Sequence, residues 1–250
     1  MGNAARNEQH YDKAYSSNSL IKALAKLFLS YDQLSKTRRN IAAVENHLKS
    51  STGLSVLDYG FGHGTFLYRV PRTHAVTGCE LSSEAMRNLK RLFAIAKRPV
   101  TLLSQKEFQL ASHEMKYDLI CCSHVLEHVD NDIELLDAFH DHLRDNGSLL
   151  INVPINEVWK DPKHVREYTP AYIDQQLLSA GFIVESLSEA DRWTAYILHN
   201  EYVSKSLPRL VFKALRLFLA PLPVALLDRM ERLLPERYRF QQLIVVAKKT

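Results

Sequence analysis

A short glycine-rich segment is the part of this sequence best suited to holding a cofactor. Residues 58–64 read DYGFGHG, so three glycines alternate with other residues directly after an apolar run. A backbone without Cβ atoms can turn sharply and approach a ligand closely. The dinucleotide pattern G-x-G-x-x-G would need its third glycine at position 65, where this chain has Thr65. The spacing therefore favours a nucleoside cofactor without a pyrophosphate over a dinucleotide.

An acidic residue follows at the end of the next apolar run. Glu80 lies 22 residues after Asp58. A carboxylate at the carboxyl end of a strand can accept hydrogen bonds from both hydroxyls of a ribose, because open α/β sheets place their ligands at that edge. The alternative is that Glu80 only caps the helix that begins nearby. We predict that Glu80 binds a ribose.

Three histidines could perform acid–base chemistry. His124 and His128 are four positions apart in SHVLEHV, so they share a face if the segment is helical, and His164 follows in DPKHVREYT. An imidazole with a pKa near neutrality suits proton abstraction from a hydroxyl. We predict His164 and His128 as catalytic residues; the alternative is that each only anchors its loop. Glu127 is expected to face solvent or to pair locally.

The elements that must position these residues alternate along the chain. Apolar runs predict strands at 56–59, 75–81, 100–103, 117–123, 148–153, 182–187 and 242–247, and amphipathic spacing predicts helices at 18–30, 32–50, 64–70, 83–97, 130–144 and 170–181. Such alternation predicts an α/β fold with a doubly wound, mostly parallel sheet that helices cover on both faces. We expect N-terminal helices and a lid in 1–54, a core in 55–189 and 241–250, and a helical insertion in 190–240.

The composition is that of an ordinary globular protein. Of 250 residues, 46% are hydrophobic and 24% charged, with a net charge of +4 and three cysteines. Cys121 and Cys122 lie in an apolar run, which predicts buried thiols and a reducing compartment. The chain has no C-x-x-C pair, and we predict no metal. It has no basic run interleaved with aromatic residues and no secretion signal, so we predict a cytoplasmic protein that binds no nucleic acid.

Five motifs together resemble those of a known family. In order they read VLDYGFGHGTFL, VTGCELSSEAM, YDLICCSHVLEHVDN, GSLLINVP and HVREYTPAYIDQQLLSAGF. Their order and spacing resemble the class I S-adenosylmethionine-dependent methyltransferases, most of all the branch that methylates small molecules, quinone precursors and sugars. The resemblance implies a Rossmann-like sheet of seven strands, with the last strand antiparallel and inserted beside the fifth.

The resemblance also implies roles for particular residues. The methionine part of the cofactor would lie against Asp58, Gly60 and Gly64, the ribose against Glu80, and the underside against Ser123 and His124, with Gly62 and Leu81 as further contacts. Tyr11 and Tyr15 resemble N-terminal lid tyrosines. The family commonly has an acidic residue after the third strand for the adenine amino group. This chain has LLSQKEF there, so Ser104 or Gln105 is expected to replace it.

The insertion carries a helix with a mixed surface. In 203–237 the cations Arg209, Lys213 and Arg216 recur at helical spacing on an otherwise apolar segment. That pattern indicates a helix at a membrane interface, on the inner face of the membrane; the alternatives are a lid over the site or a homodimer contact. The uncharged run 217–227 is too short to span a bilayer and contains two prolines.

These features predict an enzyme that transfers a methyl group from S-adenosylmethionine to a small-molecule, sugar or lipid-linked acceptor, at oxygen. Two alternatives remain at this point. One is a catalytically silent methyltransferase-like subunit that regulates a partner. The other is an NAD(P)-dependent oxidoreductase, which Thr65 disfavours.

Overall fold

Seven strands form a single sheet. The computed structural model describes residues 12, 13, 15, 20–111 and 114–250. The strands are β1 (Ser55–Tyr59), β2 (Ala75–Glu80), β3 (Thr101–Ser104), β4 (Tyr117–Ser123), β5 (Leu143–Pro154), β6 (Phe182–Ala190) and β7 (Gln242–Lys249). Their order across the sheet is β3-β2-β1-β4-β5-β7-β6. Strands β1 to β5 pair in parallel, while β7 is antiparallel to both of its neighbours. The predicted Rossmann-like fold with an antiparallel last strand beside the fifth is confirmed.

Helices flank the sheet and surround its carboxyl edge. They are α1 (Leu20–Leu29), α2 (Tyr31–Ala43), α3 (Glu45–Ser50), α4 (Thr65–Arg69), α5 (Ser83–Ile95), α6 (Gln105–Leu110), α7 (Asp132–His142), α8 (Pro170–Ser179), α9 (Arg192–Leu198), α10 (Arg209–Leu219) and α11 (Val224–Glu231). A 3-10 turn covers Leu126–His128, and a π-helical turn covers His199–Val203. Within the described ranges, no helix has both the length and the apolar character needed to cross a bilayer.

One predicted helix ends earlier than expected, and one helix was not predicted. The helix predicted over 130–144 ends at His142, because Leu143 already pairs with Tyr117 of β4. Helix α6 was not predicted; it begins with a capping box between Ser104 and Glu107.

The strands bury both faces, and successive residues alternate between two apolar layers. Leu57 and Ile120 contribute to the layer beneath α7 and α8, whereas Val56 and Leu119 contribute to the layer beneath α5. Both predicted strand cysteines are buried free thiols. A third, smaller apolar cluster joins α2 to α9–α11 through residues such as Tyr31, Phe212 and Leu227. The N-terminal helices and the insertion therefore pack together; the domain boundaries stay a prediction.

Candidate functional site

The glycine loop between β1 and α4 needs glycine for two reasons. Gly60, Gly62 and Gly64 all have left-handed φ angles, of 74°, 53° and 68°. A Cβ on Gly60 would lie 2.3 Å from Val125 Cγ2, and a Cβ on Gly64 would lie 2.1 Å from Leu89 Cδ1. Gly64 therefore allows close packing against α5, and only the first two glycines line the pocket described below.

Glu80 is held rigidly beside this loop. Glu80 is the last residue of β2 and is 7% exposed. Oε2 accepts the Gly62 N–H at 2.9 Å, and Oε1 accepts the N–H of Leu81 at 2.8 Å and of Ser82 at 3.3 Å. Burial raises the pKa of Glu80, although these backbone donors oppose the shift. The cap of α5 is Ser82, whose hydroxyl accepts the Ala85 N–H. The carboxylate is thus oriented by backbone N–H groups from the glycine loop and from the two residues that follow β2.

Ser104, the candidate adenine contact, lies next to Glu80 across the β2–β3 pair. Its hydroxyl donates to Glu107 Oε2 at 2.7 Å and accepts the Glu107 N–H at 3.2 Å. Gln105 is the first residue of α6. The adenine contact stays a prediction.

A first pocket of about 180 Å³ opens above the glycine loop. We call it the cofactor pocket; it is lined by Tyr15, Gln33, Lys36, Thr37, Asn40, Asp58, Gly60, Phe61, Gly62, His63, Thr65, Phe66, Ser123 and His124. It brings together Asp58, Gly60, Gly62, Ser123 and His124 of the predicted cofactor residues. Burial raises the pKa of Asp58 to about 8; a hydrogen bond with Cys121 opposes the shift, and the charge of Glu80 adds to it. Burial therefore favours the protonated form of Asp58 in this pocket.

Tyr15, one of the two tyrosines predicted to form a lid, packs against the glycine loop; its role as a lid stays a prediction. A Cβ on Gly62 would lie 3.1 Å from the Tyr15 hydroxyl, and the Tyr15 ring packs edge-on against His63 with centroids 5.0 Å apart. Its backbone oxygen accepts from Asn88 Nδ2 at 3.3 Å. Tyr11 lies outside the described residues.

Helix α2 forms a wall of this pocket, which sequence reasoning missed. Thr37 shares a 2.6 Å hydroxyl contact with Thr65, and Asn40 Nδ2 donates to Ser123 Oγ at 3.1 Å. Asn152 Nδ2 in turn donates to Asn40 Oδ1 at 2.7 Å. These bonds tie α2 to the carboxyl ends of the central strands. Polar residues at helical spacing on α2 were the available signal.

A second pocket of about 230 Å³ adjoins the first. It is lined by Asp32, Lys36, His124, Pro154, Glu157, Trp159, His164, Thr194, Leu198, Gln241 and Gln242. Lys36 and His124 line both pockets. A ligand in the second pocket would therefore lie next to a cofactor in the first.

The segment after β4 is not helical at His124. His124 and His128 therefore do not share a helix face, which had required a helix here. His124 has a left-handed φ of 57°, and its N–H donates to the Asn152 carbonyl at 2.7 Å. The 3-10 turn that follows directs Glu127 inward, where it is fully buried. Of the two expectations for Glu127, exposure to solvent is wrong and local pairing is right, since His124 Nδ1 lies 3.3 Å from Glu127 Oε1. Burial disfavours its charge, yet His124 and His128 outweigh that effect and lower the pKa of Glu127.

The two predicted catalytic histidines lie together. The rings of His128 and His164 pack edge-on with centroids 4.8 Å apart. His164 Nδ1 lies 2.7 Å from Glu157 Oε1, and His128 Nδ1 lies 3.4 Å from the Lys163 carbonyl. Ligand atoms of Glu127, His128 and His164 lie within 4.8 Å of one another, and we call these three residues the histidine cluster. Glu157 was not predicted as a site residue, because nothing in the local sequence of that loop predicts its pairing with His164.

Hydrogen bonds to backbone carbonyls connect the two loops that carry this cluster. The Val165 N–H donates to the Glu127 carbonyl at 2.8 Å. The Arg166 guanidinium donates to the carbonyls of Val129 at 2.7 Å and Asp130 at 2.6 Å. Arg166 therefore clamps the loop after β4 to the loop after β5.

Asp191 joins α9 to α2, a role that sequence analysis did not identify. The residue is fully buried and caps α9 through the Thr194 N–H at 3.0 Å. Its carboxylate also accepts from the Tyr31 hydroxyl at 2.9 Å and from Gln242 Nε2 at 2.8 Å. The D-x-x-T pattern at 191–194 was the available signal.

The outer face of α10 is apolar. Leu210, Leu217 and Phe218 are 75%, 58% and 61% exposed. Of the three cations predicted to form a stripe, Arg209 and Lys213 are exposed. Arg216 instead turns inward and pairs with Glu201 at 2.7 Å, so the prediction is wrong for this residue. Near the start of α10, the Arg209 guanidinium lies over the ring of Tyr202, which stacks on Trp159 at the second pocket.

Comparisons with known proteins agree with this geometry. A family model described as a methyltransferase domain matches residues 29–187. A search of curated proteins found no match. Magnesium protoporphyrin IX methyltransferase (ChlM) from Synechocystis PCC 6803, with bound SAM, is similar in structure with a TM-score of 0.62 at 12% identity, over 100% of this chain and 98% of that chain. The 1,6-didemethyltoxoflavin-N1-methyltransferase of Burkholderia thailandensis has a TM-score of 0.54 at 18% identity, over 86% and 78%. The (4+2)-cyclase SpnF has a TM-score of 0.60 at 15% identity, over 85% and 80%.

Proposed function

Because this chain belongs to the class I S-adenosylmethionine-dependent methyltransferases, we propose that it transfers the methyl group to an oxygen of a small-molecule, sugar or lipid-linked acceptor bound in the second pocket. The observation that carries the proposal is that both pockets share Lys36 and His124. A methyl donor in one pocket and an acceptor in the other would meet at this shared wall. Positioning of that kind supplies much of the rate in a group transfer.

The histidine cluster supports oxygen as the methylated atom. A hydroxyl must lose its proton as the new C–O bond forms, so the reaction converts O–H and the sulfonium into O–CH₃, the thioether and one proton. His164 lines the second pocket, and Glu157 orients its ring. Histidines at the cluster would help to remove the proton of a hydroxyl acceptor. A neutral amine can attack the methyl group without such help, so the cluster favours an oxygen acceptor.

A radiolabel assay tests this proposal. We expect labelled methyl transfer from S-adenosylmethionine to a hydroxylated probe such as a catechol or a long-chain phenol in detergent. His164→Ala should reduce turnover at least about 100-fold and leave S-adenosylhomocysteine affinity within about twofold. His47→Ala on α3, which lines neither pocket, is the matched control. Transfer to amine probes alone would contradict oxygen methylation, and S-adenosylhomocysteine binding without turnover on any probe would favour the silent regulatory alternative.

We further propose peripheral binding to the inner face of a membrane through α10. The exposed apolar face formed by Leu210, Leu217 and Phe218, flanked by Arg209 and Lys213, has the chemistry of a helix at an anionic interface. Arg209, beside this face, lies over Tyr202, which stacks on Trp159 at the rim of the second pocket. A lipid-linked acceptor could therefore enter the pocket from the membrane.

Flotation with vesicles containing phosphatidylglycerol tests the membrane proposal. Wild-type protein should float with the vesicles at low salt, and Leu210→Asp with Phe218→Asp should abolish this. Leu178→Asp is the matched control, since Leu178 on α8 is also 69% exposed. If wild-type protein does not float, or if the double variant instead dissociates a dimer in sedimentation, the membrane assignment is wrong.

A further inference from the structure

We propose that the histidine cluster of Glu127, His128 and His164 binds one divalent transition-metal ion, such as Zn²⁺ or Mn²⁺. The inference rests on the proposed function in one respect: the ion would bind the acceptor oxygen beside the second pocket. Two imidazoles and one carboxylate with an open position form a common catalytic metal site.

The distances suit such an ion. One ligand atom from each residue lies within 4.8 Å of the others. Ligands bound at about 2.0–2.2 Å lie about 3–4 Å apart, so small side-chain rotations would complete the site. The hydrogen bond from Val165 to the Glu127 carbonyl already holds the two loops together.

Glu127 supplies an independent indication. The residue is fully buried; Oε2 has no hydrogen-bond partner among the residues that the structure describes, and the His124 Nδ1 contact with Oε1 at 3.3 Å lacks hydrogen-bond geometry. A buried carboxylate without compensation costs several kcal/mol. A cation at the cluster would compensate it.

Each imidazole has an outer hydrogen-bond partner at Nδ1, as metal-ligating histidines usually do at one ring nitrogen. His164 Nδ1 lies 2.7 Å from Glu157 Oε1, which leaves Nε2 for a metal. His128 Nδ1 lies 3.4 Å from the Lys163 carbonyl oxygen, which likewise leaves Nε2 of His128 for a metal. A carboxylate behind a ligating histidine is a common outer-shell partner, so Glu157 is a positioning residue.

Protonation of His124 is the competing explanation for the buried charge. His124 Nδ1 lies 3.3 Å from Glu127 Oε1, so an imidazolium there could neutralise the carboxylate. This alternative predicts no metal affinity at the cluster, and metal titration therefore separates the two.

The ion's chemical contribution would be to lower the pKa of the acceptor hydroxyl. The proton passes to solvent, the oxygen attacks the methyl carbon, and the C–S bond breaks to release the thioether. The ion is neither oxidised nor reduced.

Calorimetric titration of chelator-treated full-length protein with Zn²⁺, and separately with Mn²⁺, tests the site. We expect one ion per chain. His164→Ala should weaken binding at least about 100-fold and Glu157→Gln about 10- to 100-fold, while His47→Ala stays within about twofold. Glu127→Gln keeps the side-chain shape and should also weaken binding. S-adenosylhomocysteine affinity, measured on every variant, verifies the fold.

The outcomes separate this inference from the proposed function. If neither ion binds wild-type protein more tightly than His164→Ala, the metal site is overturned. If methyl transfer to a hydroxyl continues unchanged after chelation, the role of the ion is overturned and the methyltransferase function stands. If the ion binds but no hydroxyl is methylated, the site stands and the proposed function fails.

Discussion

Asp58 should make cofactor binding depend on pH. Burial in the cofactor pocket raises its pKa to about 8 in the ligand-free protein. The cofactor carries an ammonium group and a sulfonium, so the bound state favours the carboxylate. Binding should therefore release a proton, and affinity should rise with pH until it approaches that pKa.

The size of the effect follows from the ionised fraction. With a pKa of about 8, the carboxylate fraction is about 1% at pH 6 and about 9% at pH 7. Affinity should thus increase about ninefold, or about 1.3 kcal/mol, between these values. The ammonium group of S-adenosylhomocysteine stays charged in this range, because the free carboxylate beside it holds its pKa above the value of about 7.7–8.0 for a peptide α-amino group.

Calorimetry with S-adenosylhomocysteine in two buffers of different ionisation enthalpy counts the released protons. We expect about 0.9 proton at pH 7 for wild-type protein and none for Asp58→Asn, whose affinity should not change with pH. Asp141→Asn, at an exposed position of α7, is the control and should behave as wild type. Proton release that persists in Asp58→Asn, or wild-type affinity that is equal at pH 6 and pH 7, would refute the reasoning.

Two further predictions concern packing and buried charge. Gly60→Ala forces a Cβ to within 2.3 Å of Val125 and a left-handed φ on alanine, so S-adenosylhomocysteine affinity measured by calorimetry should fall at least about tenfold. Adding Val125→Ala should recover part of the loss; no recovery would contradict the steric account. Arg39→Leu leaves Glu231, its buried ion-pair partner, without compensation and should cost about 3–5 kcal/mol of unfolding free energy in urea denaturation. Adding Glu231→Leu should restore more than half of this, and a double variant as unstable as Arg39→Leu would refute the ion-pair explanation.

Features that depend on local sequence could be predicted. Alternating apolar runs and turn residues predicted all seven strands, and the strand ends placed Asp58, Glu80 and Ser123 at one edge because parallel strands share a carboxyl edge. The glycine spacing correctly identified a tight loop, although Gly64 contacts α5 and not the pocket.

Features that depend on long-range contacts could not be predicted. SHVLEHV has helical spacing, yet the Asn152 carbonyl binds the His124 N–H and the chain turns at a left-handed residue. That turn, and not any periodicity, buries Glu127. Arg216 likewise belongs to an amphipathic pattern, but a buried Glu201 draws it inward. In each case a tertiary partner outweighs the local pattern.

Hydrogen bonds on two sides of α2 separate the two pockets. On one side, Asn40 bonds to Ser123 at the end of β4 and Thr37 contacts Thr65 at the start of α4, so α2 closes the cofactor pocket. On the other side, Tyr31 bonds to Asp191, which caps the α9 that lines the second pocket. Changes in the insertion can therefore reshape the second pocket through α9 without touching the glycine loop. This arrangement explains why the sequence predicts the methyl donor from a local motif, whereas the pocket proposed for the acceptor is built by contacts among α2, the loop after β5 and the insertion.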